Sequence, residues 1–202
     1  MTQTGRPRGF DTDDALDRAM EVFWRHGYEG ASLTELTGAM GINKPSLYAA
    51  FGNKEGLFRK VVTRYADVEM AYARDALDQP TARDVAAVLL RENAVALTRP
   101  ERPAGCLSIQ GATACSTDNA AIAEFLAASR LTGEHALAAR FARAVDEGDL
   151  PPEADPAALA RFLSVVTEGQ AVHAAAGAPR GHLEQSAEIA LHAFTVAAYP
   201  VR

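Results

Sequence analysis

Residues 31–60, ASLTELTGAMGINKPSLYAAFGNKEGLFRK, carry a series of starts and stops that a succession of short helices satisfies. Ser32 with Glu35 three residues on forms a capping box, in which side chain and backbone at a helix start satisfy each other. Gly41 supplies a tight turn. Asn43 is placed to cap the next helix, and Pro45 falls in its first turn, where a missing N–H costs little. That helix directs Leu47 and Phe51 inward and leaves Asn43, Lys44, Ser46 and Tyr48 outside. Two helices about a tight turn, the second presenting donors and a positive charge, meet the physical requirements for reading a DNA major groove.

The same punctuation runs through the rest of the chain. Asp11 or Thr12 caps a first helix over residues 12–26, with Leu16, Ala19, Met20 and Phe23 as its apolar stripe and Gly27 closing it. Asn53 opens a fourth helix that the pattern carries as one piece to about residue 77. Thr81, with Asp84, starts a fifth helix that ends near residue 99. A sixth element covers residues 106–115 and a seventh 119–145. Asp155-Pro156 starts an eighth helix that runs to about 176, and a ninth occupies 183–198. β-Branched alternations are few, and Asn-Gly or Asp-Gly hairpin signals are missing. The expected fold is all-α: a three-helix N-terminal head (residues 1–52) and a helical body (residues 53–202), about nine helices in total, with the helix over 53–77 joining the two.

Net charge first argues against nucleic acid, because the chain carries −6. Its distribution reverses that reading. Residues 1–65 hold nine Lys/Arg against eight Asp/Glu, a net of +1, and the remainder holds 11 against 18, a net of −7. The local field around a binding face matters more than the total. Arg6 and Arg8 are not followed by an apolar stretch of signal-peptide type, and no apolar run approaches the roughly 20 residues that span a bilayer. Two cysteines, Cys106 and Cys115, make a disulfide framework unsuited to this chain and a reducing cytoplasm the expected compartment. If they share a helix, nine residues separate them by about 13.5 Å, beyond disulfide reach.

Lys44 is the first choice for base readout, since a lysine at the open end of a recognition helix can bond guanine O6 and N7. Asn43 and Ser46 share its side, Asn43 with capping as a competing role. The Pro45 ring can meet a thymine methyl. The five histidines show no paired helical spacing, and no metal or cofactor is expected. No G-x-S-x-G, H-E-x-x-H or phosphate-binding glycine loop occurs, so the residues give no support to an enzyme.

Residues 10–65 strongly resemble the DNA-binding head of TetR-family regulators. The matching pieces are ALDRAMEVFWRHGYEGASLTEL and GINKPSLYAAFGNKEGLF, with SLYAAF followed by NKEGLF the most specific. Thr37 and Gly38 are mild departures, since a small apolar residue and a polar helix former are more usual there. The resemblance implies a homodimeric regulator, most often a repressor, whose body binds a small molecule and thereby loses DNA affinity. It implies backbone-phosphate contacts by Thr34, Tyr48 and Lys54. Gly5-Arg6-Pro7-Arg8 resembles an arm whose Arg6 and Arg8 reach a minor groove. Two other readings stay open: a ligand-independent DNA-binding protein, and a helical enzyme with a relic head.

A body rich in Ala, Leu, Val and Phe suits a largely apolar effector. Tyr65, Leu89, Asn93, Cys106, Ile109, Phe125, Ser129 and Phe162 are the candidate pocket residues. The last two helices are apolar around more than one face, which implies a second apolar neighbour. Phe162, Val165, Val166, Gly169, Val172, Leu191 and Phe194 are therefore the candidate dimer face, joining its copy in a four-helix bundle. The expected partners are a palindromic DNA operator, a small-molecule effector and a second copy of the chain, with no membrane.

Overall fold

The computed structural model describes residues 10–111 and 116–199. Within them the chain forms ten α-helices and one 3-10 turn, with no strand. They are α1 (Thr12–Gly30), α2 (Leu33–Met40), α3 (Lys44–Phe51), α4 (Lys54–Val68), α5 (Ala71–Leu77), α6 (Ala82–Ala96), α7 (Leu107–Gln110), α8 (Ala120–Asp146), α9 (Pro156–Ala175) and α10 (Arg180–Ala198). No helix among the described residues is long and apolar enough to cross a membrane.

Local chemistry sets most of these boundaries. Asp11 caps α1 by accepting from the backbone of Asp13 and Asp14. Both halves of the Ser32–Glu35 capping box are made, and Asn43, Asn53, Thr81 and Asp155 each cap their helix through a side-chain oxygen. α1 breaks at Gly27, whose φ of 67° lies in the left-handed region, and a final turn follows it.

One expected helix divides in two. The stretch over 53–77 is interrupted at Glu69–Met70, where both N–H groups donate to the Tyr65 carbonyl. At the break the Glu69 side chain is only 5% exposed and turns inward to Arg102 (2.7 Å) and Arg99 (3.3 Å). A buried carboxylate without a partner is costly, and the two arginines supply this one with counter-charge.

Two apolar cores follow. The first binds the head to the body: Phe23, Trp24, Leu36, Leu47, Phe51, Leu57, Phe58 and Tyr65 share it with Leu107, Ile122, Leu126 and Leu183. The second lies wholly between body helices, around Phe141, Phe194, Leu90, Leu163 and Leu191. Leu191 and Phe194 therefore form the subunit's own interior, and neither is open to a second copy. The outward apolar residues of the same two helices are Val165 and Val172 on α9 and Ile189 and Val196 on α10, each pair seven residues apart and therefore on one helix face. Phe162, Val166 and Gly169 are half-covered.

Candidate nucleic-acid interface and effector cavity

The turn between α2 and α3 is closed by Gly41 at φ 67°, with Gly41 N–H donating to Gly38 O and Ile42 N–H to Thr37 O. Leu47 and Phe51 then bury one side of α3, and Lys60 and Phe10 close over the Phe51 ring. The other side is open. Asn43, Lys44, Pro45 and Tyr48 are exposed there, Tyr48 by 46%, and Ser46 is partly covered. Asn43 does cap: its Oδ1 accepts from Ser46 N–H at 2.8 Å, which leaves its amide NH2 for a base or phosphate.

α3 is braced on α4 by an unusually close approach. A Cβ on Gly56 would lie 2.2 Å from the Phe51 carbonyl oxygen, so only glycine allows the end of α3 to rest on the start of α4. Thr34 is exposed on α2. Lys54, at the start of α4, stands over the Tyr28 ring (4.6 Å) with Nζ 3.5 Å from the Glu29 carbonyl oxygen. Burial lowers its pKa, and Glu29 opposes that shift. Arg6 and Arg8 lie outside the described residues.

A cavity of about 650 Å³ opens among α4 to α9. Its wall includes Tyr65, Leu89, Asn93, Cys106, Ile109, Phe125 and Ser129, with Val62, Met70, Leu77 and Leu137 adding apolar surface. Phe162 is elsewhere, packed against the second core. The α9 residues on the wall are Ser164, Thr167, Glu168 and Ala171. Phe162 precedes Ser164 by two residues, about 200° around the helix, which puts it on the far side.

The polar groups of this wall are held by neighbours. Asn93 accepts from Tyr72 Oη (2.8 Å) and donates to Gln170 Oε1 (2.6 Å). Tyr65 Oη donates to Cys106 Sγ at 3.3 Å, and Ser108 Oγ lies 3.0 Å from the same sulfur. Burial, then Cys106, pushes the Tyr65 phenol well above its ordinary range, and burial does the same for Tyr72. Both stay protonated as donors. Cys115 lies outside the described residues, Cys106 is a buried free thiol, and no metal-holding cluster occurs among the described residues.

One face of α1 connects head to linker and body. Asp17 pairs with Arg64 of α4 (2.7 Å), a contact that lowers the Asp17 pKa and raises that of Arg64. Glu21 meets Arg102 (3.4 Å), the residue that also holds Glu69. Trp24 sets its ring edge-on to Tyr65 at 4.9 Å, and Tyr28 does so to Phe58 at 5.1 Å. Beyond the Gly27 break, Glu29 accepts from Ser116 N–H and from Asn119 Nδ2 (3.0 Å), next to the start of α8. These contacts hold the Glu29 carboxyl down to about 2. Glu21, Trp24, Glu69 and Arg102 carry no local sign in the sequence of being a connected set, because the partners are 30 to 81 residues apart.

Comparison with known proteins agrees with this geometry in both head and body. The family model "Bacterial regulatory proteins, tetR family" matches residues 15–61, and "Tetracyclin repressor-like, C-terminal domain" matches residues 83–194. This chain belongs to the TetR family. It is 38% identical over 185 residues to the HTH-type transcriptional repressor ComR of Escherichia coli, covering 91% of this chain and 88% of that protein. It is 35% identical over 162 residues to the uncharacterized HTH-type transcriptional regulator YezE of Bacillus subtilis, covering 79% and 84%. Among solved structures, a cysteine mutant of the TetR-family regulator CifR in complex with a 26-base-pair operator duplex superposes with a TM-score of 0.89 at 45% identity, covering 93% of this chain and 99% of that one.

Proposed function

We propose that this TetR-family chain is a homodimeric transcriptional repressor that leaves a palindromic operator when a small, largely apolar molecule fills the body cavity. The observation that carries the reading is the open face of α3, with Lys44 and Tyr48 outward and Leu47 and Phe51 locked inward. Residues 1–52 act as the reader and 53–202 as the sensing and pairing body, in the cytoplasm. Two copies join through the α9 and α10 faces that bear Val165, Val172, Ile189 and Val196. The two-fold axis then sets half-sites about 34–36 Å apart, or a multiple of that. Lys44 reads bases, and Tyr48, Lys54 and Thr34 hold phosphates. Arg6 and Arg8 are the proposed minor-groove arm.

Release follows from the build of α1 and α4. Tyr65 forms cavity wall on one side and meets Trp24 of the head on the other. Met70, at the helix break, is also cavity wall, and its neighbour Glu69 connects through Arg102 to Glu21. An occupant that fits better with the break and the Tyr65 ring displaced shifts the heads relative to each other. It acts only through its differential affinity for the two arrangements. The cavity favours this reading over a ligand-independent DNA-binding protein, which has no need of one.

The test is the salt dependence of duplex binding. About four to eight phosphate contacts per dimer give a slope of log affinity on log salt of about −4 to −7. A slope near zero sinks the DNA-binding reading.

A further inference from the structure

The cavity has an electrical character as well as an apolar one. Among the described residues five charged side chains border it, and each is matched inside the chain. Asp67 pairs with Arg74 at 2.9 Å, Arg130 faces Glu168 at 3.6 Å, and Glu134 faces Arg161 at 3.4 Å. Arg130 also donates to the Ser108 carbonyl at 3.1 Å, which fixes it along the wall. The deeper amide, Asn93, spends both ends on Tyr72 and Gln170, and the Thr167 hydroxyl donates to the Leu163 carbonyl. A charged guest must therefore give up water without gaining an uncommitted counter-charge, a loss that apolar surface does not offset. An uncharged guest meets no such penalty.

We infer that the effector of this cavity is an uncharged, mainly hydrocarbon or aromatic molecule, and that the Arg130–Glu168 pairing is what keeps anions out. The inference rests on the proposed regulatory reading and names the ligand class of its sensing site. Within a wall of this size, such a guest has room for a few ring systems. Its polar atoms, where it has them, find the hydroxyls of Ser129 and Ser164 rather than a charge.

Two fluorescent probes of similar aromatic surface separate the cases: Nile red, which is neutral, and anilinonaphthalene sulfonate, which is an anion. The full-length wild type is expected to bind Nile red at least about tenfold more tightly. Glu168→Gln, which leaves Arg130 without its carboxylate, is expected to improve binding of the anion by about threefold to tenfold and to leave Nile red unchanged. Ala128→Trp, which fills the cavity from its open side, is expected to abolish Nile red binding. Equal affinity for both dyes in the wild type, binding of neither, or an anion affinity that Glu168→Gln does not move overturns the inference. The same preparations are titrated with duplex DNA. Normal DNA binding with the wrong dye pattern removes only the ligand class, whereas the expected dye pattern with no DNA binding removes the regulatory reading and leaves the cavity's selectivity standing.

Discussion

The proposed DNA-facing surface and the proposed effector cavity are assembled in opposite ways. Most of the first comes from twelve consecutive residues, 43–54, held by caps and by two buried side chains of the same short helix. The second draws its wall from helices between Val62 and Ala171, and no two neighbouring segments alone enclose it. A contiguous site depends on local rules of helix start, turn and stop. A dispersed site depends on how whole helices pack, so its residues are specified only once the fold is complete. The seam between them, along α1, combines both kinds of dependence.

Gly56→Ala is the strongest challenge to the locality of the head. The added methyl would sit against the Phe51 carbonyl, so overpacking is expected to cost about 3 kcal/mol. A denaturant midpoint unmoved by this change would show that α3 does not rest on α4 as described.

Next come two lysines of the proposed DNA-facing surface. Lys44→Ala is expected to change which duplex is preferred, by about 1–3 kcal/mol at one position of each half-site. Lys54→Ala is expected to weaken all duplexes alike and to make the salt slope shallower by about 1 for each phosphate it no longer holds. If the two phenotypes exchange, the roles of the lysines exchange with them.

A cavity substitution should act on stability and leave sequence preference alone. Asn93→Leu strips Tyr72 and Gln170 of their shared partner, with an expected cost of about 1–2 kcal/mol. Comparing thermal midpoints with competitive duplex binding checks this, and a changed base preference would blur the separation of the two sites.

Gly38→Ala should have a smaller effect of opposite sign. Nothing lies within 4 Å of the position its Cβ would take, so α2 is expected to gain about 0.5–1 kcal/mol from the better helix former. A loss of stability there would mean that α2 needs the bare backbone.

The smallest expected effect is at the seam. The Glu29 carboxyl is held down to about 2 from its ordinary 4.5. A group whose folded pKa is depressed contributes stability above its unfolded pKa and loses it as pH falls through the folded one. The difference between wild type and Glu29→Gln should thus be full near neutral pH, shrink below about pH 4.5 and vanish near pH 2. A pH-independent difference would assign Glu29 a role other than this contact.

How far each part was legible follows the same division. The Ser32–Glu35 box, the Asn43 and Asn53 caps and the Gly41 turn are local chemistry, and all were visible as residue types at fixed spacing. The break at Glu69 has no local marker, and the arginines that Glu69 meets there lie 30 and 33 residues further on. Helices α9 and α10 showed that an apolar face was left over but not which one. Their inner sides carry Leu, Phe and Ala and their outer sides Val and Ile, so an apolar pattern alone does not distinguish Leu191 and Phe194, which are interior, from Ile189 and Val196, which are not. Phe162 was misplaced for a similar reason: a large apolar residue on a helix with two apolar sides has no local marker of direction.

Selection from a random duplex library by the purified full-length protein, at near-physiological salt and followed by sequencing, tests most directly whether α3 of a dimer reads DNA sequence. The expected result is a recovered palindrome whose half-site centres lie about 34–36 Å apart, or a multiple of that, with the preferred base shifted in Lys44→Ala. Recovery of no motif, with Lys44→Ala indistinguishable from the parent, would contradict a sequence-reading head.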